Sequence, residues 1–579
     1  MAQPGNNLGT RLGGAATVLF GSRNMQTGTT EIISSALNAG TAEMLASLIR
    51  TAYSPNIKER GDCSTAICDI GGRTLSLAAN APAHLGATLR LVPQILKRFP
   101  ADALRPGDVF LANDPYIVGV THLNDCTVAV PVFVGEQPVA FAIAVAHHSD
   151  VGGRVPGSEA GDSVSIFQEG IRIPPLRIYT AGVRNSDVIE LFLLNSRTPH
   201  FSRGDLAAQV AAVERGAGRL GQLYAKYGCD AMGSSIDDML NSTEKRVTER
   251  IRNSMRPGTY SATDWLDEDG VSDEPVLLAA EVTIDEGHIL VDLSGCAPQI
   301  GSGKNVPWPH TLATVYYMLK SFVDPRGPIN EGLFRAVQVL APEGRVVNPI
   351  APAAVSSRNV TSMILADVLM NAIGQACPPR QMAFNGPFQG TILSGNDPRT
   401  GAFFIDYENF CGGQGASRYA DGMDAVHVHM TNTSNLPVES MELEFPVIVE
   451  RYALAENSGG PGQYRGGMGI VRDLRLYGED MTVALRSARQ KFHAKGINGG
   501  RPGALGAFIL NPGTAREQRL PSTSSATPLQ RGDLLRIVTP GGGGAGEPAL
   551  RTSQAIRSDC LQGKISADAV VDHYGQKTS

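Results

Sequence analysis

Apolar residues recur at three- and four-residue steps from Thr29 to about Tyr53, through Ile33, Leu37, Met44, Leu45, Leu48 and Ile49. This spacing predicts a helix, and Ser54-Pro55 stops it. The same step links Leu206, Val210, Val213, Ala217, Leu220 and Tyr224 and predicts a second helix over 205–226, weakened in its later half by Gly216, Gly218 and Gly221. A third is expected over about 236–253, ahead of Pro257-Gly258. Elsewhere the pattern is that of strands. Residues 65–69 form one, and Val109-Phe110-Leu111 forms another, closed by Asn113-Asp114-Pro115. TVAVPVFV (127–134) and VAFAIAVA (139–146) flank Gly135-Glu136-Gln137-Pro138 and read as a β-hairpin.

Glycine and proline punctuate short strands through the last third, as in β-rich structure. An acidic turn is expected over 264–273, a surface loop at PSTSSATP (521–528), and a short helix or tail at 565–575. Residues 1–28, rich in Gly, Asn and Thr, read as a loose arm. No repeat of fixed period is visible. The expected organisation is an arm (1–28), one large mixed α/β region (29–552) with a β-rich C-terminal third, and a tail with a short helix (553–579).

Composition narrows the function classes. Over 579 residues, 42% are hydrophobic and 18% charged, enough for a large core and too apolar for global disorder. The net charge is −6, and no concentrated basic patch of the kind that binds phosphate backbones is present. Eight scattered cysteines form no CxxC pair, which reads as reduced thiols. The glycine-broken run 13–20 is a poor signal peptide, and no stretch reaches the ~18 apolar residues of a membrane span, so the expectation is a soluble cytoplasmic protein.

Candidate chemistry concentrates in 107–157. The chain has 11 histidines, and His122, His147 and His148 fall here with Asp114, Asp125 and Asp150, a donor set suited to Zn, Mn or Fe. If Val134 pairs with Val139 across the hairpin, residue 147 lies opposite 126 and residue 148 opposite 125. A one-residue slip exchanges the faces, so the hairpin alone leaves open which histidine joins Asp125. A second cluster, Lys58 to Ser64, reads in isolation as a solvated turn. Gly301-Ser302-Gly303-Lys304 fails as a phosphate loop, because Pro298 and Asn305 stand where Gly and Ser/Thr are required. Gly541–Gly544 reads as a tight turn. His427 and His429 would share one face of a strand as packed or surface residues. No GxSxG elbow occurs.

The segments SPNIKERGDCS (54–64), PAHLG (82–86), GDVFLANDPY (107–116), THLND (121–125) and AHHSDVGGRVPGS (146–158) resemble the hydantoinase B/5-oxoprolinase family. So do NSGGPGQYRGGMGIVRD (457–473), GGRPG (499–503) and TPGGGGAGEP (539–548). The resemblance implies a hydantoinase B-type fold and the B subunit of an ATP-dependent enzyme that opens hydantoin, oxoproline or lactam rings. It further implies a hydantoinase A-type ATPase partner in a heterotetramer or larger assembly, with ATP bound by that partner and bicarbonate as a further possible co-substrate. The metal ligands it implies, for Zn or Mn, are His122, Asp125 and His147, with Asp62 as an added carboxylate; this choice of His147 comes from the resemblance. His148 and Asp150 are expected to orient a ligand or move a proton. The alternative within the resemblance is a subunit of an acetone/acetophenone-type carboxylase, which the chain's compact length disfavours. Two departures from the family pattern stand near the site: Ile117-Val118-Gly119-Val120 precedes Thr121 in place of two glycines, and Cys63 replaces an aromatic residue.

Overall fold

The computed structural model describes residues 14–575, with side chains from Gly28 onward. Residues 1–13 of the expected arm lie outside that range, whereas 14–28 are helical: the first helix spans Gly14–Thr51 and is longer than the apolar spacing indicated. The added segment contains Ala, Leu, Arg, Met and Gln, all good helix formers, and a helix already anchored at one end propagates at little cost. At its C-terminal end the amides of Tyr53 and Ser54 donate to Asp205 Oδ1 at 2.8 and 3.0 Å. Over Gly28–Thr51 this helix is long and apolar enough to cross a bilayer, contrary to the expectation from apolar runs. Its Ile33, Leu37, Met44 and Leu48 are buried in a protein core.

Seven antiparallel strands make the first sheet: β1 (Cys63–Asp69), β2 (Thr74–Ala79), β3 (Val109–Ala112), β4 (Asp125–Val134), β5 (Gln137–His147), β6 (Leu176–Thr180) and β7 (Val183–Arg184). Their order is β2-β1-β5-β4-β3-β6-β7. Both faces of the central β4 and β5 are covered, which is why these two strands read as continuous apolar runs with no polar alternation. Ala140, Ala142, Ala144 and Ala146 face the Gly14–Thr51 and Pro199–Tyr227 helices. Phe141, Ile143 and Ala129 face the opposite core, shared with the Trp308–Val323 and Arg358–Ala376 helices. Gly216 does not weaken its helix as propensity suggests, because a side chain there would strike Met44 of the packed neighbour. The Cys229–Ser254 helix follows.

The hairpin register differs from the symmetric pairing. Val134 pairs with Gln137 around Gly135-Glu136, and a bulge between Val132 and Phe133 moves the register so that Asp125 lies opposite His147.

Three further sheets complete the fold. Gly258–Leu266, Val276–Asp285, His288–Asp292 and Val337–Leu340 form one, so Asp264 belongs to a strand and the acidic turn begins after it. Phe403–Phe410, Gln389–Asn396, Glu479–Ser487 and Thr523–Pro528 form the next. The expected loop at 521–528 is therefore an edge strand, and its Ser/Thr residues suit a half-exposed β edge. The last sheet has five strands between Val447 and Val538. Beside it, Gly541–Gly544 does not make a tight turn. It threads between other glycine segments: Gly542 N–H donates to Gly467 O (2.9 Å), Gly460 N–H to Gly542 O (2.9 Å) and Gly543 N–H to Phe384 O (2.8 Å). Only residues without side chains let backbones approach this closely. The expected C-terminal helix is present, after a separate Ser553–Leu561 helix.

Candidate metal centre

Residues that end strands build the site. Asp125 opens β4 and His147 closes β5, on the sheet face shared with Phe141 and Ile143. His122 comes from the turn before β4. Asn113 Nδ2 donates to Leu123 O (2.8 Å), and Asn124 Nδ2 donates to His148 O (3.0 Å) and Gly157 O (3.1 Å), holding that turn between its neighbours. Asp150 accepts from the amides of Gly152 (3.1 Å), Gly157 (2.9 Å) and Arg197 (2.9 Å). The 150–158 segment thereby folds back and delivers Glu159 to the same place. The His147 amide donates to Asp62 O at 3.1 Å, so the Asp62 segment lies directly across from His147.

The result is a closed cluster whose members are all buried. One ligand atom each of His122, His147 and Glu159 lies within 4.8 Å of the others. His122 Nε2 is 3.4 Å from Asp125 Oδ1, and His122 Nδ1 is 3.2 Å from Glu159 Oε1. His84 Nε2 is 3.7 Å from Asp125 Oδ1, and its Nδ1 is 2.9 Å from Ser64 Oγ. Thr121 Oγ1 makes a short bond to Asp125 Oδ2. Glu159 is enclosed by Tyr407 (2.8 Å), Arg358 (3.2 Å) and a close Arg486. Asn56 Oδ1 accepts from Arg60 at 2.7 Å, which leaves its Nδ2 3.3 Å from His147 Nδ1.

Four atoms at the centre of this cluster have no hydrogen-bond partner: both ring nitrogens of His122, His147 Nε2 and Asp125 Oδ1. Unpartnered buried polar atoms are costly, and a cation is what an imidazole–carboxylate set of this kind accepts. The electrostatics agree. Burial and the Arg358 guanidinium push His122 down to about 4, so its ring is neutral and its lone pair available. Burial disfavours ionised Asp125, but the imidazoles of His122 and His84 outweigh it and hold the carboxyl well below its ordinary range. Glu159 is also held low against burial, chiefly by Arg486 and His147.

Of the residues read from sequence, His122, Asp125 and His147 are brought together, and Asp62 is adjacent through its backbone. His148 and Asp150 are not. Strand alternation turns His148 to the opposite face, where Nε2 lies 3.0 Å from Gln209 Oε1, and both Asp150 oxygens serve the 150–157 turn and Arg197. Asp114 pairs with Arg172 at 2.7 Å, away from the cluster. His427 and His429 lie in a loop, and His429 has a carboxylate neighbour, Asp367, at 3.0 Å. Sequence reasoning missed His84, Glu159, Arg358, Tyr407 and Arg486. Glu159 stands one residue beyond the AHHSDVGGRVPGS segment and His84 lies inside PAHLG; the other three carry no local signal. His310, buried with both ring nitrogens unpartnered, was also missed.

The family model for hydantoinase B/oxoprolinase matches residues 26–548. This chain belongs to the hydantoinase B/oxoprolinase family. An uncharacterised protein of Methanocaldococcus jannaschii is 35% identical over 95% of this chain and 96% of its own length. The putative D-/L-hydantoinase B subunit of a Pseudomonas species is 31% identical over 94% of each. The caprolactamase beta subunit of Pseudomonas jessenii is 30% identical over 94% of this chain and 95% of its own. The crystal structure of the ATP-dependent caprolactamase from Pseudomonas jessenii superposes with a TM-score of 0.89 at 27% identity, covering 95% of this chain and 96% of that one. An acetone carboxylase, in its nucleotide-free structure, shares the fold with a TM-score of 0.87 at 19% identity over 96% and 80% of the two chains. The fold is thus shared with structures described as a caprolactamase and as an acetone carboxylase.

Proposed function

We propose that this hydantoinase B-family chain is the metal-bearing subunit of an ATP-dependent cyclic amide hydrolase, acting on a hydantoin, oxoproline or lactam ring. The observation that carries this reading is the buried set of unpartnered donors on His122, Asp125 and His147. His122 Nε2, Asp125 Oδ1 and His147 Nε2 would hold a divalent cation, Zn or Mn, with Asp62 as the added carboxylate. When bound, such a cation acts as a Lewis acid and lowers the pKa of water for attack on an amide carbon. Glu159 Oε1 lies 3.2 Å from the other nitrogen of His122 and would accept from Nδ1 once Nε2 holds the cation, which would fix the tautomer. Thr121 occupies Asp125 Oδ2 and leaves Oδ1 directed at the centre. Arg358 and Arg486 keep Glu159 ionised, and the buried wall around them excludes bulk water.

A cyclic amide is a weak electrophile, which gives ATP a role: activation by a hydantoinase A-type ATPase partner, with hydrolysis completed here. The names of the two Pseudomonas relatives, each given as one subunit, support a partner in a heteromeric assembly. All eight cysteines are unpaired, which supports a reducing cytoplasmic setting. The test co-purifies the chain with its ATPase partner and follows ring opening of hydantoins, oxoproline and lactams with and without ATP and metal. ATP-dependent opening by the pair, lost in His122→Ala while the complex stays folded, is the expected result. Substrate-dependent fixation of labelled bicarbonate into acid-stable product would replace this reading with the carboxylase. Activity that survives His122→Ala would remove the metal from the chemistry.

A further inference from the structure

A cavity of about 1020 Å³ is walled in part by the 427–434 loop, and none of His84, His122, Asp125, His147 or Glu159 lines it. Three elements meet at one of its walls. Tyr317 comes from the Trp308–Val323 helix, Asp367 from the Arg358–Ala376 helix and His429 from the loop. Tyr317 is half-buried, and it lines the cavity together with His429. His429 Nδ1 lies 3.3 Å from the Tyr317 hydroxyl, and its Nε2 lies 3.0 Å from Asp367 Oδ1. Arg489, fully buried, donates to the other Asp367 oxygen at 2.9 Å and anchors the carboxylate.

The surroundings of His429 decide which nitrogen carries its proton. Asn385 Nδ2, 2.8 Å from Nε2, already donates to Asp367 Oδ1 at 2.7 Å, and Asn385 Oδ1 accepts from the Gly415 amide at 2.9 Å, which fixes the amide's orientation. Burial would raise the Asp367 carboxyl, but His429, Arg489 and Asn385 hold it below its ordinary range. A bare Nε2 lone pair would face that ionised oxygen, so the proton sits on Nε2 and Nδ1 keeps its lone pair for the Tyr317 O–H. The loop is held in a costly shape: Ala425, Met430 and Asn432 take left-handed φ values of 52°, 64° and 56°. Elsewhere the walls are largely uncharged. Met318, Met370 and Met382 supply apolar surface, and Arg380, the single Asp, Glu, Lys or Arg in the lining, donates to the Phe322 carbonyl.

We infer that Tyr317 is a second reactive centre, independent of the metal cluster, whose hydroxyl attacks an uncharged acyl ester seated in this cavity. The bond from the acyl carbon to the leaving alcohol oxygen breaks as the bond from that carbon to the Tyr317 oxygen forms. The phenolic proton passes to His429 Nδ1, Asp367 stabilises the imidazolium, and the proton then leaves on the departing oxygen. Burial pushes the phenol up to about 12, so it stays protonated at neutral pH and reacts only as His429 takes its proton in the same step. The methionine walls, with their one formal charge bound to a carbonyl, favour an uncharged molecule.

The probe is 4-nitrophenyl acetate, applied to the full chain alone and with its partner. Nitrophenolate release is followed, and acetylated tyrosines are mapped by peptide mass. Tyr419 is the internal reference: it lines the same cavity and is 65% exposed, but its hydroxyl has no imidazole partner among the described residues. Tyr317 should nevertheless be acetylated faster by roughly a hundredfold, the lower end of what a positioned base contributes. Tyr317→Phe should abolish the fast phase of release. His429→Ala should remove the advantage of Tyr317, and added imidazole should restore part of it. Metal content should not change in either variant. Equal acetylation of Tyr317 and Tyr419 in wild type, or a Tyr317 rate unmoved in His429→Ala, overturns the inference. A loss in His429→Ala that imidazole does not restore gives His429 a packing role and overturns the relay. The wild-type comparison needs no substitution, so it decides even if a variant misfolds.

Discussion

Replacing Glu159 by Gln separates two roles that the structure gives this carboxylate. It is the counter-charge for Arg486 and Arg358, and it is the acceptor facing His122 Nδ1 at 3.2 Å. Gln keeps an acceptor for Tyr407 but leaves two buried guanidiniums with only Asp125, 3.7 Å from Arg358, as a nearby carboxylate. Removing one member of a buried ion pair costs about 3–5 kcal/mol. Spread over the unfolding entropy of 579 residues, on the order of 1.2 kcal/mol per kelvin, that lowers Tm by about 3 °C. The pH dependence should change as well. Glu159 is held below its ordinary value in the fold, so its contribution is present above about 4.3 and is lost as pH falls below that. The variant lacks this acid-labile part, so its Tm deficit narrows as pH falls below 4. Loss of the Nδ1 acceptor should also weaken metal binding by about 10- to 100-fold. The assay pairs metal titration at pH 7 with thermal unfolding at pH 7 and pH 3. Unchanged metal affinity alongside a lowered Tm would show that Glu159 serves only the arginines and would refute the assignment of His122 Nε2 to the metal.

Three other outcomes are expected. Asn56→Asp turns the neighbour of His147 Nδ1 from a donor into an acceptor, which leaves Nε2 free of its proton, so metal affinity should rise; a fall would place the ligand nitrogen elsewhere. Arg60→Met should cost about 3–5 kcal/mol in chemical denaturation at pH 8, because Asp406 and Glu408 share this one buried cation. Burial opposes every charge in this trio; Arg60 is nonetheless held protonated by its two partners, while each carboxyl stands above its ordinary value. Acid that protonates those carboxyls relieves the penalty, so the Arg60→Met deficit should shrink toward pH 5, and a deficit that grows there would contradict the pairing. Gly542→Ala would drive a methyl into the Gln414 carbonyl of a neighbouring glycine-rich segment, a backbone that cannot rotate away; insoluble or unfolded protein is expected on expression, and a wild-type Tm would show that the glycine stack yields.

The sequence by itself determined much of the local structure. The apolar spacing of Ile33 to Leu48 and of Leu206 to Tyr224 set two helices, because burial of one helix face demands a fixed period, and two short continuous apolar runs around Gly135 set the hairpin. It also placed His122, Asp125 and His147 in one short region, since a turn and a strand pair bring together residues close in the chain. The tertiary structure decided what surrounds them. A single bulge at Val132/Phe133 moved the register and set Asp125 against His147, a choice that no side-chain pattern encodes because both strand faces are apolar. It turned His148 toward Gln209 by the same alternation. Arg358, Tyr407 and Arg486 reach Glu159 from a helix and two strands more than 190 residues away, and nothing near them in sequence marks them. Charges buried that deeply are tolerable only when the whole fold supplies their partners, and that condition is written in the packing of distant segments.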